Sequence, residues 1–224
     1  MSHPTPIALI TLAGVIVCWI FFFSIFLLRK RPAKAPEAKR DKLAGLGIFL
    51  QMCAYFVVWF QPPWQPFLPP IAILRGIPGI VFSVLTVATA AGSGCLVAAA
   101  VRTLGKQWAL PARLVEGHKL ITVGPYAYVR NPIYTGMLGM FIATGLAMEH
   151  WPGLVVGLVL FAVGMVIRVK SEERLLRAAF GEEFDEYAKR VPAVLPGIYS
   201  GDLLRWTGRS KASPQRTPRT QRQQ

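Results

Sequence analysis

Two stretches of this sequence hold most of the side chains that could do chemistry, and the first is 124–134. It sets aromatic and basic residues between two turn-forming pairs, in the order Gly124, Pro125, Tyr126, Tyr128, Arg130, Asn131, Pro132 and Tyr134. Aromatic rings can hold a cation against their faces, and irregular backbone at membrane depth occurs only where it is buried or lines a cavity. The same residues could instead form an interfacial aromatic belt with Arg130 reaching lipid phosphate. Spacing alone leaves both interpretations open.

The second stretch, 167–196, combines alternating charges with a helical apolar stripe. Arg168 and Glu172 stand four residues apart, as do Glu173 and Arg177, so each pair shares one face of a helix. Exposed pairs of this kind contribute only a few tenths of a kcal/mol. Arg168, however, follows directly on an apolar run, where an ionisable side chain indicates a functional site.

The elements that must position these residues are apolar and long. The runs 7–28, 43–60 and 77–101 contain no charged residue, and a helix of roughly 20 apolar residues crosses the hydrocarbon core. The charged fraction of the chain is 16%, below the roughly 25% of soluble domains, because of these runs. They predict three transmembrane helices.

Two shorter apolar runs, 133–147 and 153–167, are separated only by 148–152, so they predict a tight helical hairpin. A pair this short could be buried in a soluble domain, but flanking residues can extend it and Trp151 suits an interface. The expectation is an all-α integral membrane protein with about five transmembrane helices, the last two forming the hairpin. Because 124–134 leads into the hairpin and 167–196 leads out of it, both stretches should meet at one face and form a single cofactor pocket.

The net charge of +14 indicates membrane orientation and not nucleic-acid binding, because of how the basic residues are distributed. With the N-terminus outside, every Lys and Arg except Arg75 would face the cytoplasm, where basic residues concentrate. The first run lacks the basic start of a signal peptide, so it is expected to be retained. This topology places the C-terminus and the pocket on the cytoplasmic side, beside anionic lipid.

Three parts of the chain are predicted. Residues 1–101 form a three-helix transmembrane region, 102–199 form the core with the hairpin and the cytoplasmic helices, and 200–224 form a basic, disordered tail poor in apolar residues. The helix leaving the hairpin is expected to end at Gly181, with a short helix at 182–190. The three Cys and three His are scattered, so no metal site is expected.

The two stretches resemble the signature of the isoprenylcysteine carboxyl methyltransferases and their phospholipid methyltransferase relatives. That family pattern corresponds here to GPYAYVRNPIYTG, then Arg168 and the pair Glu172–Glu173, then FGEEFDEYAKRVP. The upstream HKLITVG fits as well, and the resemblance covers roughly 104–196. Asn131 departs from the pattern, because most members have His there, and any role of that His in cofactor binding falls to an amide or is lost.

The resemblance implies S-adenosylmethionine as cofactor and a lipid-borne acceptor, with roles for particular residues. The cofactor pocket would be lined by His118, Leu120, Ile121, Tyr126, Asn131, Pro132, Tyr134, Glu172 and Glu173. Arg168 and Glu172 would be catalytic, and Arg130 and Arg168 would bind the substrate. An acceptor carboxylate is already ionised at neutral pH and needs only a cation to orient it, for which the Arg168 fork is suited.

Four functions stay open at this point. The first is O-methylation of an isoprenylcysteine-type carboxylate, and the second is N-methylation of a phospholipid amine, which needs a base such as Glu173. The third is a sterol-reductase-like enzyme that uses NADPH, with Arg174 and Arg177 binding the cofactor phosphate. The fourth is a membrane scaffold without catalysis. The partner would be a prenylated or other lipid substrate in the bacterial inner membrane or the endoplasmic reticulum, depending on the host. The sequence leaves the acceptor, the host and the oligomeric state open.

Overall fold

The computed structural model describes residues 5–28, 43–60, 76–105, 120–149 and 151–195, and within these ranges the chain forms helices and turns without a strand. The helices are α1 (Pro6–Leu27), α2 (Leu43–Trp59), α3 (Ile77–Leu104), α4 (Pro132–Ala147), α5 (Trp151–Phe180) and α6 (Glu182–Arg190). A short 3-10 turn, Gly124–Ala127, precedes α4. The predicted all-α fold is confirmed, while the predicted tail and His118 lie outside the described ranges.

Three of these helices are long and apolar enough to cross a membrane: α1, α3 and α5, with 22, 28 and 30 residues. Helices α2 and α4 are apolar but shorter, with 17 and 16 residues. The sequence favoured the first three runs as spans and read the fifth as short. Helix α5 continues beyond that apolar run through Arg168 to Phe180, as the sequence predicted, whereas α2 stays shorter than the three candidate spans. The chain is an integral membrane protein with at least these three candidate spans.

Proline and glycine set the ends of the helices that position the site. Pro132 occupies the first turn of α4, where the missing N–H costs nothing. Gly181 has a φ of +52°, which favours glycine, and it separates α5 from α6 as the sequence predicted. Helix α6 begins with acidic residues and ends with Lys189 and Arg190, which complement its dipole.

Helix α4 lies at the centre of the bundle and contacts α1, α2, α3 and α5. Its Met140 packs in a cluster with Val15 of α1 and Val97 of α3, whereas the adjacent Phe141 packs with Ala54 of α2 and Phe161 of α5. Both α4 side chains are fully buried. The bundle therefore has two apolar cores, one on each side of a central helix.

The outer faces of the long helices carry large apolar side chains. Ile10, Phe56, Val84 and Val159, each on a different helix, are all more than half exposed. In water such a surface would be an aggregation hazard, whereas in a bilayer it is the face that meets the lipid tails. This distribution agrees with membrane embedding of the bundle.

The predicted tight hairpin is present between α4 and α5. Helix α4 ends at Ala147 and α5 begins at Trp151, and Gly145 leaves space that the Leu154 side chain fills. As a result, the start of α4 lies beside the part of α5 that follows Val166. The two chemistry-bearing stretches of the sequence are adjacent for this reason.

Candidate active site

The turn before α4, the second half of α5 and the chain around α6 converge on one group of polar side chains. This group divides into two parts that share only the backbone of α5. One part is built around Arg130 and Glu173, and we call it the clamp. The other is built around Tyr134, Arg168 and Glu172, and we call it the pocket triad.

The clamp is an almost fully enclosed ion pair. Arg130 Nη2 lies 2.7 Å from Glu173 Oε1 and its Nε lies 3.0 Å from the same oxygen. Arg130 Nη1 donates to the carbonyl oxygens of Ala188, at 2.8 Å, and of Val191. The two side chains are 1% and 13% exposed, so the charges are paired inside the protein. Such a pair is strongly destabilising to break, because either partner alone is a buried charge.

The backbone beside Arg130 ties the clamp to the chain that follows α6. Arg130 N donates to Pro192 O at 2.9 Å, and Asn131 donates to Ala193 O through its backbone N and its Nδ2, each at 3.0 Å. Thr135 Oγ1 donates to Val194 O at 2.6 Å. Asn131 thus uses its amide to hold 191–194 against the start of α4.

Two tyrosines join the 3-10 turn to α6. Tyr187 Oη donates to Tyr126 O at 2.6 Å, and both side chains are buried. Burial raises the pKa of Tyr187 to about 12, and burial together with the nearby Glu172 charge raises the pKa of Tyr126 above its usual value. Both phenols therefore stay protonated, and Tyr126 lies close enough to Glu172 to sense its charge.

The pocket triad is the less enclosed part. Tyr134 Oη donates to Glu172 Oε1, and the Arg168 Cζ lies 4.8 Å from the centroid of the Tyr134 ring. Arg168 Nη2 lies 3.8 Å from Glu172 Oε1, and the two side chains are 13% and 29% exposed. A cation, a phenol and a carboxylate meet here with part of their surface accessible. This combination can bind a ligand that carries both signs of charge.

Helix α2 contributes a residue that sequence reasoning missed. Arg168 Nη1 donates to Gln51 Oε1 at 3.3 Å. A helix more than a hundred residues earlier in the chain therefore contacts the triad. Gln51 is the only amide or charged side chain in α2. A lone amide in an apolar helix is a signal that could have been followed.

The other sequence-predicted cofactor residues lie around the triad at different depths. Pro132 is buried at the start of α4, Ile121 is half-buried, and Leu120 packs against the α6 cluster of Phe184 and Tyr187. The structure thus brings together the aromatic, basic and acidic residues of both stretches. It places Leu120 on the α6 side of them.

The residues of the triad fit a cofactor with a sulfonium and an amino acid tail. The Glu172 side chain is more exposed than that of Glu173, and Tyr134 brings its ring and hydroxyl to the Glu172 carboxylate. A carboxylate and aromatic faces suit a cation, and a nearby guanidinium suits a carboxylate. In the described ranges no group of three or more His, Cys, Asp or Glu could hold a metal ion.

The fold and the site thus define a helical membrane protein with a group of polar side chains beside its last long helix, and known proteins are similar in this region. Residues 81–183 match the family model described as phospholipid methyltransferase. This range includes α4 and all five side chains of the clamp and the pocket triad, but neither Gln51 nor the chain beyond 183.

The chain is similar to three individual curated proteins. The chain is 34% identical over 110 residues to the cobalt-zinc-cadmium resistance protein CzcN of Cupriavidus metallidurans, covering 47% of this chain and 49% of that one. It is 31% identical over 101 residues to protein-S-isoprenylcysteine O-methyltransferase B of Arabidopsis thaliana, covering 44% and 51%. It is 35% identical over 84 residues to the protein-S-isoprenylcysteine O-methyltransferase of Schizosaccharomyces pombe, covering 37% and 35%.

These matches confirm the resemblance that the sequence motifs predicted. The chain spans about half the length of the first two relatives and about a third of the third. The family match lies in the part of the chain that contains the clamp and the pocket triad.

Proposed function

We propose that this chain is an S-adenosylmethionine-dependent membrane methyltransferase that methylates the carboxylate of an isoprenylcysteine-type, lipid-borne acceptor. One observation carries the proposal. The region that matches the methyltransferase family contains both chemistry-bearing stretches, and these meet at Tyr134, Arg168 and Glu172. The names of two of the relatives support the acceptor class.

S-adenosylmethionine, when bound, supplies a methyl group on a positively charged sulfur. Glu172 is proposed to accept from the polar groups of the cofactor and to balance that charge. Tyr134 holds Glu172 in place by donating its hydroxyl proton, and Tyr126 lies on the same side. Leu120, Ile121 and Pro132 are proposed to line the pocket, together with His118, which lies outside the described residues.

Arg168 is proposed to hold the acceptor carboxylate. A carboxylate is ionised near neutral pH, so the reaction needs positioning and not a general base. The Arg168 guanidinium is oriented by Tyr134 and Gln51, and the side chain is 13% exposed. It can therefore meet an acceptor while it remains fixed by its neighbours.

Arg130, Asn131 and Glu173 are proposed to position the pocket and not to touch substrate or cofactor. The Arg130 guanidinium already donates to Glu173 and to two carbonyl oxygens, and the Asn131 amide already donates to Ala193 O. This assignment replaces the sequence-based roles of Arg130 in substrate binding and of Asn131 and Glu173 in cofactor binding. The amide that replaces the usual His serves, on this proposal, to attach 191–194.

The proposed topology has five crossings, the N-terminus outside and the pocket open to the cytoplasm. Arg102 at the end of α3 and the basic residues of α5 and α6 lie at the same end of the bundle as the triad. Basic residues concentrate on the cytoplasmic side of membranes. Local thinning of the bilayer, or flanking side chains that reach the interface, would accommodate the short helices α2 and α4.

The second candidate is N-methylation of a phospholipid amine, which the description of the matching family favours. An amine must lose a proton before it attacks, which calls for a base. Glu173 is poorly suited because its carboxylate is paired with Arg130, and an adjacent cation makes a carboxylate a weaker base. The reductase and scaffold readings have no comparable support.

The test is methyl transfer by the full chain purified in detergent. Labelled S-adenosylmethionine is offered with a prenylated cysteine that has a free carboxylate, with its carboxamide analogue, and with phosphatidylethanolamine. The proposal expects label in the first acceptor only. Label in phosphatidylethanolamine alone would select the second candidate. Calorimetric binding of NADPH without binding of S-adenosylhomocysteine would select the reductase, and binding of neither would select the scaffold.

A further inference from the structure

Gln51 lies outside the family match and outside both sequence motifs, yet it contacts the centre of the pocket triad. It is 3% exposed, and its Oε1 accepts from Arg168 Nη1 at 3.3 Å. Its other amide atom, Nε2, is also buried and has no hydrogen-bond partner among the described residues. A buried donor left unpaired is costly, so its presence calls for a reason.

Helix α2 is held against α5 at the level of this contact by a reciprocal pair of glycines. A Cβ at Gly47 would lie 2.5 Å from Arg168 Cγ and 2.7 Å from Gly164 O. A Cβ at Gly164 would lie 2.7 Å from Gly47 O and 3.1 Å from Gln51 Cγ. Small residues allow such close approach between membrane helices. Gln51 and Arg168 each follow their glycine by one helical turn, so the two side chains are presented to each other.

The Gln51 amide has a hydrogen-bond acceptor, its oxygen, and a hydrogen-bond donor, its nitrogen. Its oxygen is used by Arg168, while its nitrogen can only donate. A second donor next to a guanidinium is complementary to a carboxylate, which accepts through two oxygens. The same donor would oppose an amine in its protonated form, which has donors and no acceptor.

We propose that Gln51 is a positioning and specificity residue, whose oxygen orients Arg168 and whose amide nitrogen donates to the acceptor carboxylate that Arg168 holds. This inference rests on the proposed function and adds the reason why the site prefers a carboxylate. It also assigns α2, which the family match does not include, a direct part in acceptor selection.

The test uses Gln51→Met, which keeps the length of the side chain and removes both polar atoms. The matched control is Tyr55→Phe, one turn further along α2, which removes the hydrogen bond from Tyr55 Oη to Met137 O. Initial rates of methyl transfer to the prenylated cysteine are measured against acceptor and against cofactor concentration. Melting temperature and S-adenosylhomocysteine affinity are measured on the same preparations.

Gln51→Met should raise the KM for the prenylated cysteine about 10-fold or more, as expected for loss of a hydrogen bond to a charged group, while cofactor affinity stays unchanged. Tyr55→Phe should leave the acceptor KM unchanged. A Gln51→Asn variant, with a shorter amide, should recover part of the lost acceptor affinity, which a purely structural role would not predict.

Three outcomes overturn the inference. An unchanged acceptor KM in Gln51→Met would remove Gln51 from acceptor binding. A parallel loss of melting temperature, cofactor affinity and kcat would make it a packing residue. Efficient methylation of phosphatidylethanolamine by wild type would remove the carboxylate preference. Failure of the proposed function is distinct, because wild type itself would then not methylate the prenylated cysteine, whatever the effect of a change at Gln51.

Discussion

The clamp and the pocket triad contain neighbouring glutamates of one helix, and the two glutamates differ in their partners and in their exposure. Glu173 is paired with Arg130 and is 13% exposed, whereas Glu172 is 29% exposed and meets a phenol and a more distant guanidinium. Successive residues point about 100° apart around a helix, so the two carboxylates face different neighbours. Glu173 faces Arg130, which precedes α4, and Glu172 faces Tyr134 of α4.

This difference indicates that Glu172 and Glu173 have separate roles, one in binding a ligand and the other in stabilising the fold. A charge with close partners on every side contributes to the fold, because removing a partner exposes the full cost of burial. A charge with a looser partner and some access can exchange that partner for a ligand. Variants at the two sites separate these roles.

Removal of Arg130 should have the largest effect on stability. Arg130→Ala leaves Glu173 buried without its cation and leaves two carbonyl oxygens without donors. We expect destabilisation of about 3 to 5 kcal/mol, measured as a lower melting temperature in detergent. The exposed pair Arg177–Asp185 provides the matched control, and Arg177→Ala should cost at most about 1 kcal/mol. Equal melting temperatures for the two variants would contradict the clamp.

Replacement of Arg168 should remove turnover while leaving the cofactor bound. Arg168→Lys keeps the positive charge but loses the planar fork and the contact with the Tyr134 ring. A misplaced acceptor can cost about 100-fold in rate, so we expect a loss of that order in kcat/KM for the prenylated cysteine. Affinity for S-adenosylhomocysteine, measured by calorimetry, should stay within about twofold of wild type. Turnover equal to that of wild type would take Arg168 out of the site.

A smaller effect is expected from loss of a single hydroxyl in the triad. Tyr134→Phe keeps the ring beneath Arg168 and removes only the hydrogen bond to Glu172. One hydrogen bond contributes about 0.5 to 1.5 kcal/mol, so cofactor affinity should fall by up to about 10-fold. Tyr187→Phe removes the hydrogen bond to Tyr126 O on the α6 side and serves as the control, with unchanged affinity. A larger loss of cofactor affinity in Tyr187→Phe than in Tyr134→Phe would contradict the account, because it would place the cofactor on the α6 side of α5.

Much of this arrangement could be predicted from the sequence, because its signals are local. Uncharged runs predicted the apolar helices, the short connector predicted the hairpin, and Gly181 predicted the break before α6. The hairpin in turn predicted that 124–134 and 167–196 would lie side by side. Each of these predictions follows from local composition or from a connector that is too short to separate the two helices of the hairpin.

The partners of individual side chains could not be predicted in the same way. Spacing paired Arg168 with Glu172 and Glu173 with Arg177, yet Glu173 is paired with Arg130, 43 residues earlier. The contact between Gln51 and Arg168 depends on how α2 packs on α5, which the glycines Gly47 and Gly164 permit.

The central claim is that Glu172 serves the ligand and Glu173 serves the fold, and a crossed comparison of two matched variants tests it most directly. Glu172→Gln and Glu173→Gln each remove one charge at adjacent positions and conserve shape. We measure S-adenosylhomocysteine affinity and melting temperature for both. Replacing a charged by a neutral acceptor should weaken binding about 5- to 10-fold in Glu172→Gln and leave its melting temperature unchanged. Glu173→Gln should show a lower melting temperature and, while folded, the affinity of wild type. The reverse pattern, or equal effects of both variants on both quantities, would contradict the account.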